Sequence, residues 1–344
     1  EKLSMKNSKV LQEALEVSDA IENFNTNDKN EYNKIGSLIN KKKIKHLVTV
    51  ARGSSDSAAL FASYVFAKTL GISTYSLPPS VITLEKSKFD FSSTLVLIIS
   101  QSGLSDDLII CSEQCKKMGA KILLLSNNPS SPIIKNTDFF FDMNTSKEIS
   151  VAATKTYILS LVNIIKLVAI TANQQEILQQ LNHLPENIEK DKINDWDYKI
   201  IDKSISKGFI ISRGMGFALS TEISLKFKEL CLELIEPFSS AEVMHGPKTL
   251  IDQSLKIITL SLSDASGIAV KNEIEELQKY SQNIYCISSS NDKNADFRFL
   301  SSKIPEIDSI LIMSKFYPMI IKYAFNKGID ADFPRYLSKV TKTI

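Results

Sequence analysis

Histidine and cysteine are both scarce in this chain, with three of one and four of the other among 344 residues. Cys111, Cys115, Cys231 and Cys286 follow no paired spacing, which argues against a disulfide framework. With His46, His183 and His245 the only histidines, no zinc or iron site is expected. Cys111 and Cys115 stand one helical turn apart, as buried thiols or as paired metal ligands, and burial is the better reading. An excess of one charge is also missing: 41 basic residues face 39 acidic ones, a net charge of +2. No strong field therefore selects a nucleic acid or a membrane surface. The one basic run, Lys41-Lys42-Lys43-Ile44-Lys45, reads as a solvated helix end or as a polyanion patch. No signal peptide and no apolar run near about 18 residues is present, so neither export nor a membrane span is expected. The chain begins at Glu1 rather than Met, which implies a trimmed N-terminus. These absences together lead to the expectation of a reduced, cytoplasmic, metal-free protein.

What is present is ordinary globular material, 43% hydrophobic and 23% charged, at a length that suits two domains. Residues 5–24 carry apolar side chains at helical spacing. Continuous apolar runs at 46–51, 94–100 and 121–126 then alternate with amphipathic helices, the pattern of parallel strands covered on both faces. The style repeats: "FIISRGMGFALSTEISLKFKELCLEL" follows "VTVARGSSDSAALFASYVFAKTL", with Gly53 and Gly214 161 residues apart. Further strands are expected at 256–262 and 283–289 and a last helix near 308–327. The reading is an α/β protein of two tandem doubly wound parallel sheets, each a flavodoxin-like α/β/α sandwich. The expected bounds are an N-terminal helical segment at 1–30, domains at 31–180 and 181–327, and a tail at 328–344. The polar stretch 174–200 is expected to link the two domains.

The run "LIISQSGLSDD" (97–107) ends a buried strand in small hydroxyls and an amide, with no Lys or Arg. Ligands of open parallel sheets bind at the carboxyl ends of the strands. There Ser100, Gln101, Ser102 and Ser105, with backbone amides at a helix start, can hold a phosphate without a basic side chain. Gly103 permits a close approach or a positive φ. The alternative is that Ser102 or Ser105 merely caps the helix, and Asp106 and Asp107 in the first turn support capping. No GxxxxGK[ST] motif is present, which disfavours a nucleotide P-loop. Gly53-Ser54-Ser55 reaches the same edge after the first strand, and "AATKT" (152–156) places Thr154 near another helix start.

A second constellation lies on the helix after the second Arg-Gly turn. Glu222, Lys226 and Glu229 share one face at i, i+4 and i+7. Such a stripe is either a solvated ion-paired face or part of a site. Shortly after comes His245, in a turn fixed by Gly246-Pro247, a structural histidine or a proton carrier near neutral pH.

The motifs "RGSSDSA", "SQSGLSDD", "SNNPSSP", "VAATKTY", "EISLKFKEL", "AEVMHGPKTLID" and "PRYLSKVT" occur in the order of the sugar isomerase (SIS) family. They resemble the tandem isomerase half of glucosamine-6-phosphate synthase and the SIS-type glucosamine-6-phosphate deaminases. The resemblance implies catalytic roles for Glu229, as the carbon 1–carbon 2 proton carrier, for His245 in ring opening, and for Lys339 near the open-chain sugar. It implies phosphate contacts from Ser100, Gln101, Ser102 and Ser105. Further sugar contacts are implied at Ser54, Ser55, Val151, Ala153, Glu222 and Lys226. No metal or organic cofactor is implied, and no nucleic acid or membrane. The expected ligand is a phosphosugar, and the expected assembly a homodimer in which each subunit lends its His245 to the other. Met244 stands where the synthase has a Lys, Ala153 where it has a Ser and Leu104 where it has a Glu. No glutaminase domain with its N-terminal Cys is expected, which disfavours the synthase. The leading expectation is a glucosamine-6-phosphate deaminase. A phosphosugar isomerase, a deglycase of phosphorylated sugar–amine adducts and a non-catalytic sugar-phosphate sensor stand as alternatives.

Overall fold

Continuous apolar runs closed by hydroxyl and glycine turns make strands that need cover on both faces. In the computed structural model, which describes residues 5–25, 29–202 and 205–339, they form two five-stranded parallel sheets. The chain opens with α1 (Lys9–Leu15), α2 (Val17–Asn25) and α3 (Asn30–Asn40). The first sheet and its helices follow: β1 (His46–Val50), α4 (Ser54–Leu70), β2 (Ser73–Ser76), α5 (Pro79–Thr83), β3 (Thr94–Ile99), α6 (Asp106–Lys117), β4 (Lys121–Ser126), β5 (Phe139–Asp142) and α7 (Lys155–Thr171). After α8 (Gln175–Asp191) the pattern recurs as β6 (Lys207–Ser212), α9 (Met215–Cys231), β7 (Leu234–Ser239), α10 (Ser240–Met244), β8 (Lys256–Leu260), α11 (Ala265–Leu277), β9 (Ile284–Ser289), β10 (Phe297–Phe299) and α12 (Pro305–Asn326).

The strand orders are β2-β1-β3-β4-β5 and β10-β9-β8-β6-β7, one arrangement read from opposite ends. Every described strand pair is parallel, with helices on both sides, so the expected doubly wound α/β architecture is what the chain adopts. One face of the first sheet buries Val48, Val96, Ile98, Ile122 and Leu124 against Leu108, Cys111 and Cys115 of α6. Both thiols are fully buried there, and burial pushes their pKa values up to about 12. α7 is buried almost all round, as a helix enclosed within a domain must be. In the second sheet Phe209, Ile211 and Ile257 pack on Val243 of α10 and Leu277 of α11.

By contact the chain divides into two compact units. One contains the second sheet, with residues up to Ser18, Ile149–Thr154 and His183–Tyr336. The other contains the first sheet, with Asp19–Glu148, Lys155–Asn182 and the chain from Leu337 onward. Residues 340–344, the end of the tail expected at 328–344, lie outside the described residues, as do residues 1–4 and 26–28 of the N-terminal segment.

Two local expectations are corrected. The N-terminal helical run is broken at Glu16 into α1 and α2, although one apolar stripe, Val10, Ala14, Val17, Ile21 and Phe24, stays buried through the break. The stretch read as a polar link is largely the 17-residue helix α8, whose Leu181, Leu184 and Ile188 are buried while most of its polar residues face outward, Asp191 at its end being buried against Lys315. Its apolar stripe was present in the sequence, diluted by Gln, Asn, Glu and Lys.

Candidate functional site

The first sheet changes strand order between β1, whose helix crosses to β2, and β3, whose helix crosses to β4. A crevice opens at the carboxyl ends of such a strand pair. β3 delivers Ser100–Ser105 to this edge, and β1 delivers Arg52-Gly53-Ser54-Ser55, with Ser54 and Ser55 half-buried in the first turn of α4. Gly53 takes φ 58° and ψ −134°, a conformation closed to other residues, which lets α4 start abruptly at the strand end. Gly214 repeats it at φ 59° and ψ −137° ahead of α9.

The β3–α6 loop is tightly prepared. Ser100 Oγ accepts from the Gly103 amide at 3.1 Å, and Ser102 Oγ from the Leu104 amide at 3.3 Å. Each hydroxyl thus spends acceptor capacity on the loop while its O–H can still donate. The chain leaving β4 clamps the loop from outside. Asn128 Nδ2 donates to Ser102 O at 2.7 Å, Ser131 Oγ to Gly103 O at 2.7 Å and Ser126 Oγ to Gln101 O at 3.2 Å. Gly103 has φ 61°, and a Cβ there would overlap the Ser131 side chain. Ser105 occupies the cap position of α6, yet its side chain makes no capping hydrogen bond. The capping alternative is therefore not what the loop adopts, for either serine. Asp107, whose charge opposes an anion at this helix start, is buried and paired with Arg52, its Oδ2 2.9 Å from Nε. Arg52, Asn128 and Ser131 escaped the sequence reading as individual residues, although "SNNPSSP" had marked the turn that holds two of them.

Lys339 belongs to the same unit. Its Nζ lies 3.4 Å from Glu148 Oε2, and Glu148 also accepts from Thr156 Oγ1 at 2.5 Å and from the Thr156 amide at 3.3 Å, at the start of α7. A buried carboxylate at a helix N-terminus is favoured by the unpaired amides and the dipole. Nothing in the sequence distinguished Glu148. Val151 and Ala153 are half-buried in the segment Ile149–Thr154, which groups with the second-sheet unit, where Glu13 of α1 accepts from the Ser150 amide at 3.2 Å.

In that second unit α9 carries the stripe expected from spacing, and the solvated alternative fails. Lys226 and Glu222 are fully buried and Glu229 keeps 20% of its side-chain exposure. Lys226 Nζ sits 2.6 Å from Glu229 Oε2 and 3.4 Å from Glu222 Oε1. Tyr317 of α12 donates from its hydroxyl to Glu222 Oε1 at 2.8 Å. Burial alone would depress the Lys226 pKa, but the Glu222 and Glu229 carboxylates outweigh it and hold the ammonium well above the usual lysine range. Lys228 faces away and pairs with Glu236 at 3.5 Å. A second buried cluster lies at the amino ends of β7 and β8, where Glu233 accepts from Lys256 at 2.7 Å, from Lys327 at 2.6 Å and from the Tyr323 hydroxyl at 2.6 Å. It ties the end of α9 to α12.

His245 follows α10 and is exposed, its amide donating to Glu242 O at 3.0 Å. No described hydrogen bond or ion pair joins it to Glu222, Lys226 or Glu229. The structure thus gathers Ser100, Gln101, Ser102, Ser105, Ser54 and Ser55 on one sheet edge and Glu222, Lys226 and Glu229 on one helix. Val151, Ala153, Lys339 and His245 stand on separate segments.

Comparison with known proteins follows the same lines. Residues 38–170 match the SIS domain family model. The chain is 28% identical, over 321 residues, to a glutamine–fructose-6-phosphate aminotransferase (isomerizing) of Shewanella oneidensis, a match covering 87% of this chain and 52% of that protein. The chain therefore spans about half the length of the curated relatives it matches. Among solved structures, a candidate phosphosugar isomerase from Silicibacter pomeroyi superposes with a TM-score of 0.85 at 27% identity, covering 94% of this chain and 100% of that one. A glucosamine-6-phosphate deaminase from Thermotoga maritima superposes with a TM-score of 0.76 at 20% identity over 97% of this chain and 100% of its own, a likeness of fold alone.

Proposed function

We propose that this protein, with its SIS domain over residues 38–170, is a phosphosugar enzyme that converts glucosamine 6-phosphate to fructose 6-phosphate and ammonia. The observation that carries the reading is the buried acid–base cluster of α9, in which Lys226 holds Glu229 at 2.6 Å and Glu229 alone of the three keeps a solvent-facing edge. A carboxylate fixed in this way can take and return a proton at one position of a bound molecule.

In this reading the hydroxyls of Ser100, Ser102 and Ser105, the Gln101 amide and the α6 backbone amides bind the phosphate. Ser54, Ser55, Val151, Ala153, Glu222 and Lys226 surround the sugar. His245 opens the ring by moving a proton between the ring oxygen and the carbon 1 hydroxyl. Glu229 removes the hydrogen on carbon 2 of the open-chain aminoaldose and returns it to carbon 1, which leaves an imine at carbon 2. Water then adds to that imine and ammonia departs, so one water is consumed for each ammonia released. Lys226 stabilises the negative charge that develops between the two proton transfers. Lys339, held by Glu148, is assigned to the open-chain sugar. His245 is exposed, which suits a residue lent to a second copy of the chain, and a homodimer is part of the proposal.

The deaminase in particular is supported by Met244 in "AEVMHGP" and by "YLSKVT", whose last two residues lie outside the described part. The likeness to a candidate phosphosugar isomerase over 94% of the chain favours a second reading, aldose–ketose isomerisation without loss of nitrogen. The test is a panel of aminosugar, aldose and ketose phosphates, following ammonia and ketose together. Equal amounts of both from glucosamine 6-phosphate are expected. Ketose from an aldose phosphate with no ammonia would replace the first reading by the second, release of a larger amine would point to a deglycase, and binding without turnover would remove the enzymatic reading.

A further inference from the structure

Tyr317 lies midway along α12, fully buried, one residue ahead of Pro318 inside the helix. Its hydroxyl donates to Glu222 Oε1, the oxygen that also faces the Lys226 ammonium. Two carboxylates compete here for one fully buried cation, and only the Glu229 side keeps an edge to solvent. The cation is not shared evenly: it is 2.6 Å from Glu229 and 3.4 Å from Glu222. In a medium of low dielectric a neutral donor on one carboxylate lowers that group's demand for the cation.

We propose that Tyr317 is a positioning residue for the proton carrier: its phenol donates to Glu222 Oε1, so that Lys226 stays committed to Glu229 and keeps that carboxylate aimed. The inference rests on the reading of Glu229 as the group that moves the proton. The other charged groups around α9 are already engaged. Glu236 of β7 pairs with Lys228 on the outer side, and Glu233 is taken by Lys256 of β8 with Tyr323 and Lys327 of α12. Glu273 of α11 pairs with Arg213 ahead of the helix. None of these supplies Glu222 with the donor that Tyr317 gives.

Replacing the phenol in Tyr317→Phe keeps the ring and removes the donor. Glu222 then draws Lys226 toward itself, and Glu229 loses part of its counter-charge. At neutral pH kcat/KM is expected to fall roughly tenfold, through kcat, with KM for the sugar phosphate unchanged. The same change made in a Glu222→Gln background should add nothing, because the competing anion is gone. A lowered melting temperature with kcat unchanged, or additive losses in the double variant, would overturn the proposal. The carboxyl 13C resonance of Glu229, assigned with Glu229→Gln in the full chain without substrate, gives a reading independent of activity. Its chemical shift at neutral pH should move in Tyr317→Phe as Lys226 leaves that carboxylate. If it moves while no phosphosugar is turned over by the parent protein, the functional reading falls and the coupling stands. If it does not move, the coupling falls whatever the activity.

Discussion

Glu229 and Lys226 are one helical turn apart, and what distinguishes them from any surface pair is burial. An exposed i,i+3 pair is worth a few tenths of a kcal/mol, about 0.3–0.5. A lysine with no exposure, held between two carboxylates, is instead a fixed charge in a dry site, and removing one partner leaves it uncompensated. Because the Lys226 pKa is raised, its pairing is fully present below the ordinary lysine range and is lost only as pH climbs past it. Lys226 therefore stays charged through neutral pH, and no limb of the activity near neutrality belongs to it. Glu229→Gln keeps the shape and removes the proton carrier. Turnover is expected to drop by roughly a hundredfold or more, while sugar-phosphate affinity measured by calorimetry persists. Near-normal rates in this variant would remove Glu229 from the mechanism.

At the scale of elements, the β3–α6 loop owes its shape to a neighbour distant in sequence. Ser126 at the end of β4, with Asn128 and Ser131 beyond it, holds the carbonyls of residues 101–103, while the Gly103 and Leu104 amides donate to the Ser100 and Ser102 hydroxyls. Gly103→Ala sets a side chain at a positive φ against Ser131, a strain of about 1–3 kcal/mol. A lower melting temperature is expected together with weaker binding of hexose 6-phosphates, and no change for unphosphorylated hexoses. If the melting temperature falls and phosphate affinity holds, the loop is structural and not the cradle. The elements also differ in how legible they were. β1, β3, β4, β8 and β9 announced themselves as continuous apolar runs because they lie inside their sheets or next to the centre. β2, β7 and β10 sit at sheet edges, where β2 and β10 are short and β2 and β7 are largely outside the core, and so they carry no such run. β7 even holds Pro237, which an edge strand tolerates because one side of it needs no ladder partner.

For the whole molecule, two sheets of one strand order follow each other in a single chain, and one of the crossings between the two units falls inside α8, between Asn182 and His183. The repeat visible in the two Arg-Gly turns is thus a repeat of backbone conformation as well as of residue style. The proposed loan of His245 between subunits is testable at this scale. His245→Ala and Glu229→Gln are each expected to be inactive alone. If the histidine serves the neighbour's site, mixing and reassembling the two variants should restore up to about a quarter to a half of parental activity, since one mixed-dimer site then has both groups. No recovery in verified mixed dimers would place His245 and Glu229 in the same subunit's site. No helix among the described residues is long and apolar enough to cross a membrane.

Periodicity, strand-end chemistry and the order of the motifs were enough to determine the α/β class, the internal repeat, the hydroxyl loop and the α9 stripe, because each is written in residues close together along the chain. Only the tertiary structure decided which of these polar groups lose contact with water and what they meet there. The burial of Lys226, the Tyr317 hydroxyl on Glu222, the Arg52 guanidinium on Asp107 and the clamp from Asn128 and Ser131 join residues far apart in sequence. Local pattern records which face a residue occupies, whereas the dielectric around it and the partner across from it are properties of packing.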